Sequence, residues 1–144
     1  FRIPRKTDYR VVPWAVYTDP EVAAVGLTQA EAQARGIKHD VAHFPMASVD
    51  RAITDQAESG FARILVSRGR VLGATLAGAH AGELIHELAL AMQVNAKVSA
   101  ITELVHAYPT YAQVHRRTLN SRRAQLLQSR KLRTLAWLLN RLLP

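Results

Sequence analysis

Two apolar runs, residues 61–67 and 71–79, are joined through Arg68-Gly69. Each has strand length and is rich in Val, Leu and Ile, and the glycine between them suits a chain reversal. The pattern predicts an antiparallel hairpin. A hairpin alone does not bury enough surface to be stable, so the rest of the chain must supply more strands and a covering layer. The composition allows this. With 49% hydrophobic and 21% charged residues among 144, one domain can bury a sizeable core, and wholesale disorder is excluded.

Upstream, residues 11–18 read as a strand, with Pro13 suited to an edge or a strand start. Asp19-Pro20 turns the chain. Thr28-Gln29-Ala30-Glu31 is a capping box, in which side chains satisfy the free amides of a helix start, and Gly36 suits that helix's end. Residues 37–44 read as a second strand, and residues 47–59 as a polar connection with room for one helical turn. Downstream the period changes. Leu84, Ile85, Leu88, Ala91 and Met92 recur at three- and four-residue spacing, giving a helix one apolar face. Ser99 is placed to cap a short helix reaching Val105, and Tyr108-Pro109 ends it. Thr110-Tyr111-Ala112-Gln113 reads as a second capping box, opening a long basic helix. The expected fold class is α+β: an antiparallel β-sheet with helices on one side.

Charge is unevenly distributed. Residues 1–103 hold 11 basic and 11 acidic side chains, whereas 104–144 hold eight Arg and Lys and no acid. Such a block attracts nucleic acid, anionic lipid or an acidic protein surface, or is simply the solvated face of a helix. The nucleic-acid reading is the weaker, because no recognition motif or interleaved stacking aromatics accompany the charges. No cysteine is present, which excludes a disulfide framework, a thiolate metal site and a redox thiol in these residues. No apolar run approaches the roughly 20 residues needed to cross a bilayer, and no signal-peptide pattern opens the sequence. Phe1 in place of a methionine suggests a chain processed or excised from something longer.

Local signatures of chemistry are sparse. Gly73, Gly78 and Gly82 do not form a dinucleotide fingerprint, and Walker, HExxH, EF-hand and nucleophile-elbow motifs are lacking. Two Glu-x-x-His units, Glu83–His86 and Glu103–His106, have the spacing of di-iron carboxylate bundles. The other glutamates that such a site needs (Glu21, Glu31, Glu58, Glu87) lie mostly in or beside the strand-rich half. His39 and His43 share a strand face at i, i+4, but two histidines alone rarely bind a metal. No metal site is expected.

Three segments carry a resemblance. Val16-Tyr17-Thr18-Asp19-Pro20-Glu21-Val22-Ala23-Ala24-Val25-Gly26-Leu27-Thr28 closely resembles the opening of the C-terminal dimerisation domain of FAD-dependent pyridine nucleotide–disulfide oxidoreductases. That family includes dihydrolipoamide dehydrogenase, glutathione reductase and mercuric reductase. Gly82-Glu83-Leu84-Ile85 with Ala89-Leu90-Ala91-Met92 is similar to its next helix. His106-Ala107-Tyr108-Pro109-Thr110-Tyr111-Ala112-Gln113 lines up with its His-x-His-Pro-Thr-x-x-Glu motif. Order and spacing agree from about residue 10 to 127.

The resemblance implies a homodimer. In the family the motif's loop reaches the partner subunit's flavin, where the histidine, held by the glutamate, is acid/base for a redox dithiol. The FAD and NAD(P) domains and the cysteine pair lie upstream of this domain. The chain itself is then expected to bind no cofactor and to be catalytically silent alone, with FAD and NAD(P) belonging to an intact enzyme.

The aligned histidine is Tyr108 and the aligned glutamate is Gln113. Histidine titrates near ~6.5 and a phenol near ~10, so tyrosine in this place donates a hydrogen bond but is a poor proton shuttle. Mercuric reductases are similar in carrying tyrosine there, though they also carry a C-terminal cysteine pair. The site residues so implied are Tyr108, Gln113 and His106 for chemistry, and Tyr108 with Pro109 for contact with the flavin. A mercuric-reductase-like, cytoplasmic flavoprotein of unsettled substrate is the expectation.

Residues 1–127 make up the family domain and 128–144 an extension. There Leu132, Leu135, Leu138, Leu139, Leu142 and Leu143 fall on one helical stripe, with Trp137 near its edge and Arg130, Lys131, Arg133 and Arg141 mostly elsewhere. That suits a helix packed on its own domain or dimer partner, or one lying on a membrane surface. The alternative function is therefore a membrane-surface or anionic-partner binding module acting through 128–144.

Overall fold

The structure is a computed structural model that describes residues 7–127. Five strands run in the order β1 (Trp14–Val16), β2 (Val22–Gly26), β3 (Asp40–Pro45), β4 (Phe61–Ser67) and β5 (Arg70–Ala77). They form one sheet, spatial order β1-β2-β5-β4-β3, with every neighbouring pair antiparallel. The helices are α1 (Gln29–Ala34), α2 (Asp50–Thr54), α3 (Ala81–Gln93), α4 (Val98–Glu103) and α5 (Gln113–Leu127). The fold is α+β, as the sequence pattern predicts.

The predicted hairpin is the centre of the sheet. Arg68 and Gly69 both take positive φ, 51° and 72°, the backbone of a two-residue turn whose twist matches its strands. β5 begins at Arg70 and ends at Ala77, one residue earlier and two residues earlier than the bounds of the predicted 71–79. β2 has no strand signature of its own, being small residues from Val22 to Gly26. Pairing on both sides, with β1 and β5, makes it a strand.

Registers place Ala23, Leu76 and Ala62 in one row across the sheet, and Val25, Ala74, Ile64 and Ala42 in the next. All seven side chains are buried and face Ile85 and Leu88 of α3, Ile101 of α4, and Val114 and Leu119 of α5. Because most of the strand residues are alanine, the helices approach closely, and the large side chains that fill the gap come mainly from Leu76, Ile64 and the helices. Each such Leu or Ile contributes roughly 1.5–3 kcal/mol by leaving water. α3 covers β2 and β5, while α5 covers β3 and β4.

Capping follows the sequence at one end of the chain and not at the other. The Thr28 Oγ1 accepts from the Glu31 amide at 3.2 Å and the Glu31 carboxylate accepts from the Thr28 amide at 2.8 Å. Gly36, φ +64°, ends that helix in the left-handed region. The second predicted box does not form. Thr110 Oγ1 instead donates to the Ala107 carbonyl at 2.7 Å, closing a turn, and α5 starts three residues later at Gln113. Ser99 lies inside α4, whose cap is Lys97 and whose end is Glu103, not Val105. The N-terminus of α3 is capped from a distance: the Glu21 carboxylate accepts from the Gly82 amide at 2.9 Å.

The basic helix is partly neutralised. Arg117 pairs with Asp50 and Arg122 with Asp40, each at 2.6 Å, tying α5 to α2 and β3. Arg116 and Arg123 are exposed. The predicted extension, 128–144, lies outside the described residues.

Candidate functional site: the 104–112 loop

The loop between α4 and α5 is held at both flanks and exposed at its apex. Before the apex, the His106 side chain is only 5% exposed, and its Nε2 sits 3.3 Å from both carboxylate oxygens of Glu87 on α3. After the apex, the buried Tyr111 donates its hydroxyl to Asp55 Oδ2 at 3.0 Å, with the His80 ring 5.0 Å from the phenol ring. Arg51, bonded to that carboxylate at 2.7 Å, holds Asp55 below the usual carboxylate range. Burial first, and then the bond to Asp55, push the Tyr111 phenol up.

Between these anchors stands the Tyr108-Pro109 step, a cis peptide, with Tyr108 70% exposed. Exposed apolar side chains precede it in the loop and also lie on α3 and at its end. Val105 is 89% exposed and Leu104 about half, and on α3 Leu90 and Val94 are exposed as well. Glu87, Leu90 and Val94 follow at three- and four-residue spacing, so they share one stripe of α3, and His106 meets that stripe at Glu87. Leu104, Val105 and Tyr108 make an exposed apolar ridge along the loop, and apolar surface beside polar anchors suits a covering partner.

Beneath the loop lies His115 on α5, fully buried. Its Nε2 is 3.9 Å from the second oxygen of Glu87 and neither ring nitrogen has a hydrogen-bond partner. Burial lowers its pKa from 6.5 to about 4, aided by nearby His106 and weakly opposed by the Leu84 backbone. Burial likewise raises Glu87 above the usual carboxylate range, against the opposing pull of His106. The buried side-chain atoms without partners among the described residues are His106 Nδ1, Gln113 Oε1 and both nitrogens of His115. All four fall within residues 106–115.

Of the residues the sequence singled out, Tyr108 and Pro109 form the exposed apex. His106 is an anchor behind it. Gln113 is half-buried at the first position of α5, where its amide oxygen makes no cap. The paired Glu-x-x-His units dissolve: Glu83 and His86 are exposed on α3, whereas Glu103 ends α4 and His106 is already in the loop. His39 precedes β3 and bonds the Ile37 carbonyl at 2.7 Å, so it shares no strand face with His43, which stacks on Phe61. Among the described residues no three His, Cys, Asp or Glu side chains stand in metal-binding geometry. Glu87, His115, Asp55 and Tyr111 are the participants that the pattern does not disclose.

The family model for the pyridine nucleotide-disulphide oxidoreductase dimerisation domain matches residues 12–118. The chain belongs to this family. It is similar to dihydrolipoyl dehydrogenase of Vibrio parahaemolyticus, 40% identical over 105 residues, covering 72% of this chain and 22% of that protein. The mitochondrial dihydrolipoyl dehydrogenase of Sus scrofa is 41% identical over 111 residues, 76% of this chain and 22% of that protein. Among solved structures, LpdA from Mycobacterium tuberculosis superposes with a TM-score of 0.76 at 27% identity, over 81% of this chain and 26% of that one. RclA of Escherichia coli, a HOCl-induced flavoprotein disulfide reductase solved as a Cu(II) complex, reaches 0.75 at 23% identity over 77% and 26%, and shares the fold. The dimerisation domain thus spans about a quarter of the length of its relatives, 22% to 27% of the curated ones. These names support the disulfide-oxidoreductase family at large and do not single out its mercuric branch.

Proposed function

We propose that the chain is the self-associating domain of an FAD- and NAD(P)-dependent oxidoreductase, catalytically silent alone, and that Tyr108 and Pro109 of one copy face the flavin of the other. The observation that carries this reading is the exposed Tyr108-Pro109 apex, held at both flanks and preceded in the loop by the exposed Leu104 and Val105. The chain's own residues fit a flavin only as a wall. They offer a phenol and a proline ring, while Gly73 lies within β5 and the Gly82 amide at the start of α3 is taken by the Glu21 carboxylate. FAD, when bound in the upstream domains, supplies the redox chemistry. Tyr108 contributes a hydrogen bond at that surface, and His106 and Gln113 stand behind it. A tyrosine there favours handling of a bound substrate or metal ion over dithiol acid/base work, the point of likeness to mercuric reductases. The names of the relatives favour dithiol substrates instead, so the acceptor is left at the level of the family. The reading places the enzyme in the cytoplasm.

Val105→Asp tests the ridge. A charge at its most exposed apolar position should weaken self-association at least about tenfold, with an unchanged circular dichroism spectrum. Association as tight as that of the unaltered chain would contradict the ridge as the interface. A second reading, binding of anionic lipid or an acidic partner through 128–144, draws on the exposed Arg116 and Arg123, which extend the basic surplus back into the described part of α5.

A further inference from the structure

A half-buried carboxylate that two imidazoles approach is an unusual arrangement. Glu87 offers both oxygens to His106 Nε2 at 3.3 Å, and its Oε2 is also 3.9 Å from His115 Nε2. Three elements meet there: α3 brings Glu87, the loop brings His106 and α5 brings His115. Among the described residues His106 Nδ1 and both nitrogens of His115 are buried without hydrogen-bond partners, so no other side chain there fixes how protons are distributed among the three groups. These are the ionisable groups that face one another across the cluster, Leu84 adding only its backbone.

The other anchor of the turn is of a different kind. Tyr111 and Asp55 make a neutral-to-charged bond whose carboxylate is held ionised by Arg51. The turn itself is closed by Thr110 on the Ala107 carbonyl. On the Glu87 side the anchor is an imidazole on a half-buried carboxylate, so its strength depends on where a proton sits. At the other anchor His80 stands 5.0 Å from the Tyr111 ring, beside a carboxylate already held by Arg51.

We propose that Glu87 is a positioning residue for the Tyr108 turn, acting through His106, and that uptake of one proton by the Glu87–His115 pair releases the turn. With Glu87 ionised, His106 donates a charge-assisted hydrogen bond and holds the loop against α3. A proton on Glu87 removes the charge that His106 reads. A proton on His115 gives the same carboxylate a second, cationic claimant 3.9 Å away. Both microstates weaken the bond to His106, so the release belongs to the pair and not to one residue. The consequence concerns the proposed function directly, because the released segment carries the residues assigned to the flavin-facing surface.

The test is backbone ¹⁵N relaxation of residues 107–110 in the full chain at pH 7 and pH 4.5, for the unaltered protein, Glu87→Gln and Glu87→Asp. Order parameters near ~0.85 at pH 7 and below ~0.6 at pH 4.5 are expected for the unaltered chain, with the sheet unchanged. Glu87→Gln, which keeps the shape and loses the charge, should be mobile at both pH values, and Glu87→Asp should restore the pH dependence. An unaltered chain whose turn is equally rigid at both pH values overturns the proposal, whether or not the variants fold. So does Glu87→Gln with the pH profile of the unaltered chain. This measurement needs no flavin and no dimer, and its failure is separate from any failure of the flavin-facing assignment.

Discussion

Gly60→Ala should cost about 3–5 kcal/mol of folding stability. Two penalties combine. Gly60 sits at φ +122°, a backbone that L side chains rarely adopt. A Cβ there would also run into the Ala77 carbonyl oxygen, lie 2.6 Å from the Ala77 carbonyl carbon, and lie 3.0 Å from Gly78 Cα. These are backbone atoms at the open end of the β4–β5 hairpin, where Phe61 pairs with Ala77, so the clash cannot be relieved by a side-chain rotation. Gly36→Ala is the control. Its φ is +64°, yet nothing lies within 4 Å of its would-be Cβ, so only the left-handed penalty of about 1–2 kcal/mol applies. Urea unfolding of both variants checks the contrast. Equal losses would mean that the close approach of residue 60 to β5 is not as described.

Acid should weaken the domain through His115, and His115→Phe should remove that share. The ring is fully buried and its pKa is lowered from 6.5 to about 4, chiefly by burial. The unfolded chain therefore takes up this proton first. Its contribution to stability is complete above about pH 6.5 and is lost as the pH falls towards 4. A shift of that size gives about 2 kcal/mol between pH 7 and pH 5, as an order of magnitude. Glu87 acts in the opposite sense. Its raised pKa means the folded state protonates it first, which returns part of the loss. Phenylalanine keeps the ring and removes two unpartnered nitrogens, so the variant should also be more stable at pH 7. The measurement is urea unfolding at pH 7 and pH 5 for both proteins. The same pH 7-to-5 difference in His115→Phe and the unaltered chain would contradict this account of the acid limb.

What could be read beforehand was local. The Arg68-Gly69 hairpin and the Thr28–Glu31 box each depend on four or fewer consecutive residues, and both are present. The second box failed for an equally local reason that no pattern shows: the Thr110 hydroxyl is committed to the Ala107 carbonyl inside the turn. β2 escaped because Ala and Gly have no strand preference of their own, and its state comes from neighbours about 50 residues away in sequence. The site divides in the same way. Tyr108, Pro109, His106 and Gln113 are legible as a run, through the resemblance. Glu87 joins His106 from 19 positions away and Asp55 joins Tyr111 from 56, and such pairings exist only once α3, α2 and the loop have docked. His115 lies two residues past that run, and its burial is a property of how α5 packs, which spacing alone does not show.

This domain is expected to associate with a second copy of itself. Light scattering across a dilution series measures it directly. A species of about twice 16.0 kDa that persists on dilution is the predicted result, and a particle of 16.0 kDa at every concentration would contradict it.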